Sequence, residues 1–95
     1  MIYEVRVHTV DPERRSEYVK AYKEAIQSSK EAGCRGGFIM CSDNDPEKVM
    51  VLLHWETREH HERWRGTPTH TKFRQTIDPW QTKPSLGDYY LAETI

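Results

Sequence analysis

The absences in this 95-residue chain narrow its chemistry first. Its two cysteines, Cys34 and Cys41, are too few for a disulfide framework and do not stand as C-x-x-C, so the chain reads as cytoplasmic, with reduced thiols. Fourteen basic and fifteen acidic residues nearly cancel, leaving a net charge of −1 with histidines neutral. No basic field is available for nucleic acid. The longest apolar run, Val49 to Leu53, is far short of a membrane span, and Met1 to Arg6 has no signal-peptide form. Asp43 and Asp45 lack the glycine and closing glutamate of a calcium loop. The five histidines, His8, His54, His60, His61 and His70, match no zinc spacing, and no H-E-x-x-H occurs. No metal, no cofactor and no nucleotide motif is therefore expected. Hydrophobic residues make up only 36% of the chain, a thin core for one small domain spanning residues 1–95.

Against that background, Val49-Met50-Val51-Leu52-Leu53-His54-Trp55 dominates. A short, partly β-branched run after Asp45-Pro46 and before Thr57 predicts a strand. Alternation gives it the faces Val49/Val51/Leu53/Trp55 and Met50/Leu52/His54, both largely apolar, so it demands cover on both sides. Burying its five aliphatic side chains would contribute on the order of 10 kcal/mol.

The remaining elements follow from local signals. Ile2 to Val10 alternates Tyr3/Val5/Val7 against Glu4/Arg6/His8, a strand whose polar face is either solvated or lines a cavity or interface. Asp11 as cap, Pro12 at the first position and Glu13 in the first turn start a helix predicted to run to about Ala32, with Gly33 ending it. Its inward stripe is Tyr18/Val19, Tyr22, Ala25/Ile26 and Ser29. A second strand is expected over roughly Phe38 to Ser42, joined to the central one by the turn Asp43 to Glu47. Thr57 caps a two-turn helix ending at Gly66, and Thr67-Pro68 starts another that Asp78-Pro79 ends. After a loop from Trp80 to Ser85, Gly87 to Ile95 reads as the final strand. The order is β-α-β-β-α(α)-β, the α+β ferredoxin-like βαββαβ arrangement with an antiparallel sheet. Right-handed crossovers place all helices on one face. A second copy is the cheapest cover for the other, which predicts a homodimer.

Met1-Ile2-Tyr3-Glu4-Val5-Arg6 before a long helix looks like the start of NIPSNAP-type proteins. Leu53 to His61, followed by Thr69-His70-Thr71-Lys72-Phe73, resembles the antibiotic-biosynthesis monooxygenase (ABM) domain. Both belong to the dimeric α+β barrel superfamily, which includes cofactor-free oxygenases, haem-degrading enzymes, polyketide cyclases and isomerases. The favoured reading is a small cofactor-independent monooxygenase acting on a phenolic or polycyclic aromatic metabolite; a polyketide cyclase or isomerase using a His base, a haem-degrading monooxygenase and a non-catalytic small-molecule binder are the alternatives. Trp55 stands where the polyketide-oxidising members have a strand-end tryptophan associated with substrate and oxygen chemistry. Val51 replaces their asparagine, His61 replaces their tyrosine, and their arginine falls near Arg74 or Gln75. Trp64 stands where haem-degrading members carry the tryptophan that ruffles the porphyrin. Their axial histidine maps closest to Arg74, with His70 one turn earlier, and their first-strand asparagine maps near Arg6.

The candidate site gathers on the helical side. His70 shares a helix side with Phe73 and Ile77, and an imidazole titrates near neutrality, so it can act as general base. His61 and Trp64, three apart, share another helix side; the plain alternative is a solvated His61 beside a core Trp64. His70, His61 and Trp55 are the catalytic candidates. Trp64, Arg6, Arg74, Phe73 and Tyr22 are the substrate-binding ones, with an arginine as partner for a substrate oxyanion. The tyrosines of the first helix are otherwise ordinary core residues. The pocket is expected between helices and sheet, with Trp55 at the strand end.

Overall fold

A computed structural model describes residues 2–95; Met1, which opens the NIPSNAP-like segment, lies outside them. Strand β1 (Ile2–Thr9) leads through a 3-10 turn at Pro12–Arg14 into helix α1 (Arg15–Ala25). Strands β2 (Cys34–Cys41) and β3 (Lys48–Trp55) form the hairpin. Helices α2 (Arg58–Trp64) and α3 (Pro68–Ile77) follow, and β4 (Leu86–Leu91) closes the fold. The sheet order is β2-β3-β1-β4, antiparallel throughout, which is the α+β ferredoxin-like fold.

The caps act as the sequence suggests. The side chains of Asp11, Thr57 and Thr67 accept from the backbone N–H groups of Glu13, His60 and His70. Three boundaries differ by more than a residue or two. The first helix does not stay α-helical to Ala32: Ile26–Ala32 tightens to 3-10. Ser28 and Ser29 there donate their hydroxyls to the carbonyls three residues back, at 3.0 and 2.6 Å, a competition that favours the tighter turn. Strand β2 begins at Cys34 rather than Phe38, because a bulge between Cys34 and Gly37 keeps it paired to β3. Strand β4 ends at Leu91, leaving residues 92–95 outside the sheet.

The helices cover one face of the sheet. Val49, Val51, Leu53 and Trp55 of β3 are buried beneath them with Tyr18, Tyr22, Trp64, Phe73 and Ile77. Met50, Leu52 and His54 point the other way and stay partly or wholly exposed. So only part of the aliphatic run is buried within this chain. Strand β1 departs most from the usual pattern. Its polar residues Glu4 and His8 lie buried under the helices, at 5% and 2% exposure, while Tyr3, Val5 and Val7 are only half-buried. Buried polar groups need partners, and those partners define the site.

Candidate active site

Glu4 is the hub. Its Oε1 accepts from Trp55 Nε1 at 3.1 Å and lies 3.3 Å from His61 Nε2. Its Oε2 accepts from Arg6 at 3.2 Å, and Arg6 also donates to Ser85 Oγ at 3.0 Å. Gly87 faces Arg6 across the β1–β4 pairing. A side chain at Gly87 would meet the guanidinium at 2.7 Å, so the glycine leaves room for Arg6 to lie over the sheet. His61 Nδ1 is hydrogen-bonded to the Tyr89 hydroxyl, and a neutral ring with its proton on the Nε2 beside Glu4 would accept there. Burial lowers the His61 pKa, and the Glu4 charge opposes it.

His61, Trp64, His70 and Phe73 line a cavity between helices and sheet together with Glu4, Arg6, His8, Tyr22 and Arg74. Its rings run as a continuous wall: Trp64 lies 5.2 Å from Phe73 and 4.8 Å from His70, centroid to centroid, and Tyr22 lies 5.6 Å from Phe73. The cavity measures about 30 Å³, room for a water or two. Beyond Tyr22, Ile26 and Leu53, which it shares with the cavity, lies a larger hollow of about 440 Å³ between the first helical segment and β2. That is within the range of small-molecule sites.

Of the sequence candidates, His61, His70, Trp64, Phe73, Tyr22, Arg6 and Arg74 are brought together. Trp55 is not on the cavity wall. It is sealed beneath the wall, 0% exposed, in ring contact with His61 and Trp64 at 4.9 and 5.5 Å. Arg74 lines the cavity but its Nε is held by Asp78 at 2.8 and 3.0 Å. Arg6 is held as well, at its terminal nitrogens by Glu4 and Ser85, so both guanidiniums reach the cavity already anchored. His70 differs from His61 in having no hydrogen bond on its ring, since only its backbone N–H is engaged, by Thr67. Half-buried, it lines both the cavity and the open surface beside Thr71 and Gln75. Burial, then the charges of Arg74 and Arg65, lower its pKa, leaving a free lone pair at neutral pH.

Sequence reasoning missed Glu4, His8 and Tyr89 as site residues. The signal for the first two was the alternation of β1. Glu4 and His8 share a face with Arg6, so one buried member predicts the others. Tyr89 had no such signal. Among the described residues, no group of three or more His, Cys, Asp or Glu is placed to hold a metal, and no helix is long and apolar enough to cross a membrane.

The antibiotic biosynthesis monooxygenase (ABM) family model matches residues 1–76. The chain belongs to this family. The ABM fold recurs in solved structures at low identity. A Bordetella bronchiseptica protein assigned to the antibiotic biosynthesis monooxygenases is 20% identical, with a TM-score of 0.89 over 98% of this chain and 97% of that one. A Nitrosomonas europaea protein with the same assignment is 22% identical, with a TM-score of 0.77 over 97% and 98%. SnoaB, a cofactor-independent oxygenase from Streptomyces nogalater, is 12% identical, with a TM-score of 0.81 over 99% and 94%. Among curated proteins, none matches.

Proposed function

We propose that this ABM protein is a cofactor-independent monooxygenase of a phenolic or polycyclic aromatic metabolite, with His70 as general base. The observation that carries this reading is the His70 ring: it is half-buried against Trp64 and Phe73, on the cavity, with neither nitrogen hydrogen-bonded. His70 removes the hydroxyl proton of the substrate and passes it to solvent at the mouth. Arg6, anchored by Glu4 and Ser85, faces the oxyanion that results. The electron-rich anion then adds O₂ at a ring carbon, and the hydroperoxide formed loses water to leave a quinone, one oxygen atom in the product and the other in the water, within an aromatic enclosure. His61 is hydrogen-bonded at Nδ1 by Tyr89 and has its Nε2 against Glu4, and it serves as a fixed part of the wall. The cavity is too small for a ring system, so the aromatic body of the substrate enters from the larger hollow by parting Tyr22, Ile26 and Leu53. A second copy of the chain covers the bare sheet face in this reading.

Oxygen uptake by the purified, metal-free protein supplied with hydroxy-aromatic compounds tests the reading. Uptake in step with product formation supports it. Product formed equally well without oxygen replaces it with a cyclase or isomerase using the same base.

A further inference from the structure

The buried face of β1 carries one group that the mechanism above leaves idle. His8 lines the cavity at the end away from Glu4. Four residues of strand separate them, about 13 Å at the usual rise. Their surroundings differ accordingly. His8 packs against Tyr18 and Tyr22, at ring distances of 5.9 and 5.8 Å, whereas Glu4 bonds with Trp55, His61 and Arg6.

The protons of His8 can be placed. Gln81 donates to the Tyr18 hydroxyl at 3.2 Å, which leaves the hydroxyl proton for His8 Nδ1, 2.7 Å away. Burial, reinforced by Arg6 and Arg74 and opposed by Asp78, pushes the His8 pKa down to about 4, so the ring is uncharged at neutral pH. A neutral imidazole that accepts at Nδ1 holds its proton on Nε2. Nε2 has no hydrogen bond. It is not sealed either, because the only sealed and unpartnered side-chain nitrogen or oxygen among the described residues is Trp64 Nε1. A buried residue of the cavity lining thus keeps one unpartnered donor.

We propose that His8 is a second ligand-contacting group, its Nε2–H donating to a carbonyl oxygen of the substrate, with Tyr18 and Gln81 as positioning residues. A neutral N–H donor suits a neutral carbonyl, while the Arg6 guanidinium suits the phenolic oxyanion. The substrate class narrows to hydroxy-aromatics that also bear a carbonyl. The inference rests on the phenol-binding reading of the cavity.

The test is long-range proton–nitrogen NMR of the ¹⁵N-labelled wild-type protein, titrated with 4-hydroxyacetophenone and, separately, with 4-ethylphenol, which lacks the carbonyl. His8 should be found as the Nε2–H tautomer. Its Nε2 signal should move with 4-hydroxyacetophenone and much less with 4-ethylphenol, while His70 moves with both. Tyr18→Phe should mix the tautomers and weaken 4-hydroxyacetophenone binding about fivefold, the scale of one hydrogen bond. An Nδ1–H tautomer in the wild type overturns the role of His8 alone. So does an unmoved His8 Nε2 at concentrations that shift His70. If neither phenol moves any histidine, the phenol reading falls, and the His8 inference falls with it.

Discussion

Glu4 shows how one residue organises the site. A carboxylate at 5% exposure is tolerable only because Trp55 and Arg6 donate N–H groups to it and the His61 ring lies against it. Glu4→Gln keeps the shape but turns an NH₂ donor toward one of those donors. It should cost about 3 kcal/mol, as breaking a buried ionic network does, and lower the melting temperature by roughly 10 °C or more. An unchanged melt would show that the network contributes nothing. His8 makes a pH prediction. Its pKa falls from 6.5 to about 4 in the folded chain, so between those values the unfolded chain binds more protons. The His8 contribution is complete above pH 6.5 and is lost as pH falls toward 4, up to about 3 kcal/mol. Chemical denaturation at pH 4.5 and 7 should show a smaller pH difference for His8→Phe than for the wild type; equal differences would contradict the assignment. Neither role was legible from residue type alone. The alternation left the Glu4/His8 face of β1 either solvated or lining a cavity, and the structure puts it under the helices.

At the scale of elements, the strong local signals fixed where helices start, since Asp11, Thr57 and Thr67 each cap as their residue type demands. Ends and irregularities were less legible. The serines after Ile26 tighten the helix through bonds that helical periodicity does not encode. The β2 bulge depends on Gly36-Gly37, which in sequence resembles a loose loop. Gly37 has φ 152°, and a Cβ there would stand 1.8 Å from the Leu52 carbonyl oxygen. Any side chain must push β2 off β3. Gly37→Ala should therefore destabilise by roughly 3 kcal/mol or more, and hydrogen exchange should speed first in β2. Gly36 has nothing within 4 Å of its would-be Cβ and a φ of 103°; its alanine variant should lose only the smaller, backbone share. Equal effects at both glycines would contradict the close-approach account.

The whole molecule has a one-sided sheet. On its bare face, cross-strand neighbours form apolar rows: Phe38, Leu52 and Val5 in one, Met40, Met50, Val7 and Leu86 in the next. Phe38 and Leu86 are 67% and 74% exposed, an apolar surface of the kind that marks an interface. The doubly apolar β3 makes this legible in the sequence, because a 95-residue chain has one helical layer for two faces. Sedimentation equilibrium should give about twice the 11.3 kDa chain mass, and Leu52→Lys should return the chain to a monomer. A stable wild-type monomer at micromolar concentration would contradict the dimer. The fold and the helical location of the pocket were thus readable, but which histidine is free was not, because His61 and His70 differ only in what surrounds their rings. That difference is tested most directly by kcat/KM for oxygen uptake with a hydroxy-aromatic substrate across pH, in the wild type and in His70→Ala. The wild-type rate should rise with pH to a plateau through an inflection below the ordinary histidine value of 6.5, and His70→Ala should lower the plateau by roughly a hundredfold, the usual scale for a lost general base. A variant that turns over at the wild-type rate would contradict His70 as the base.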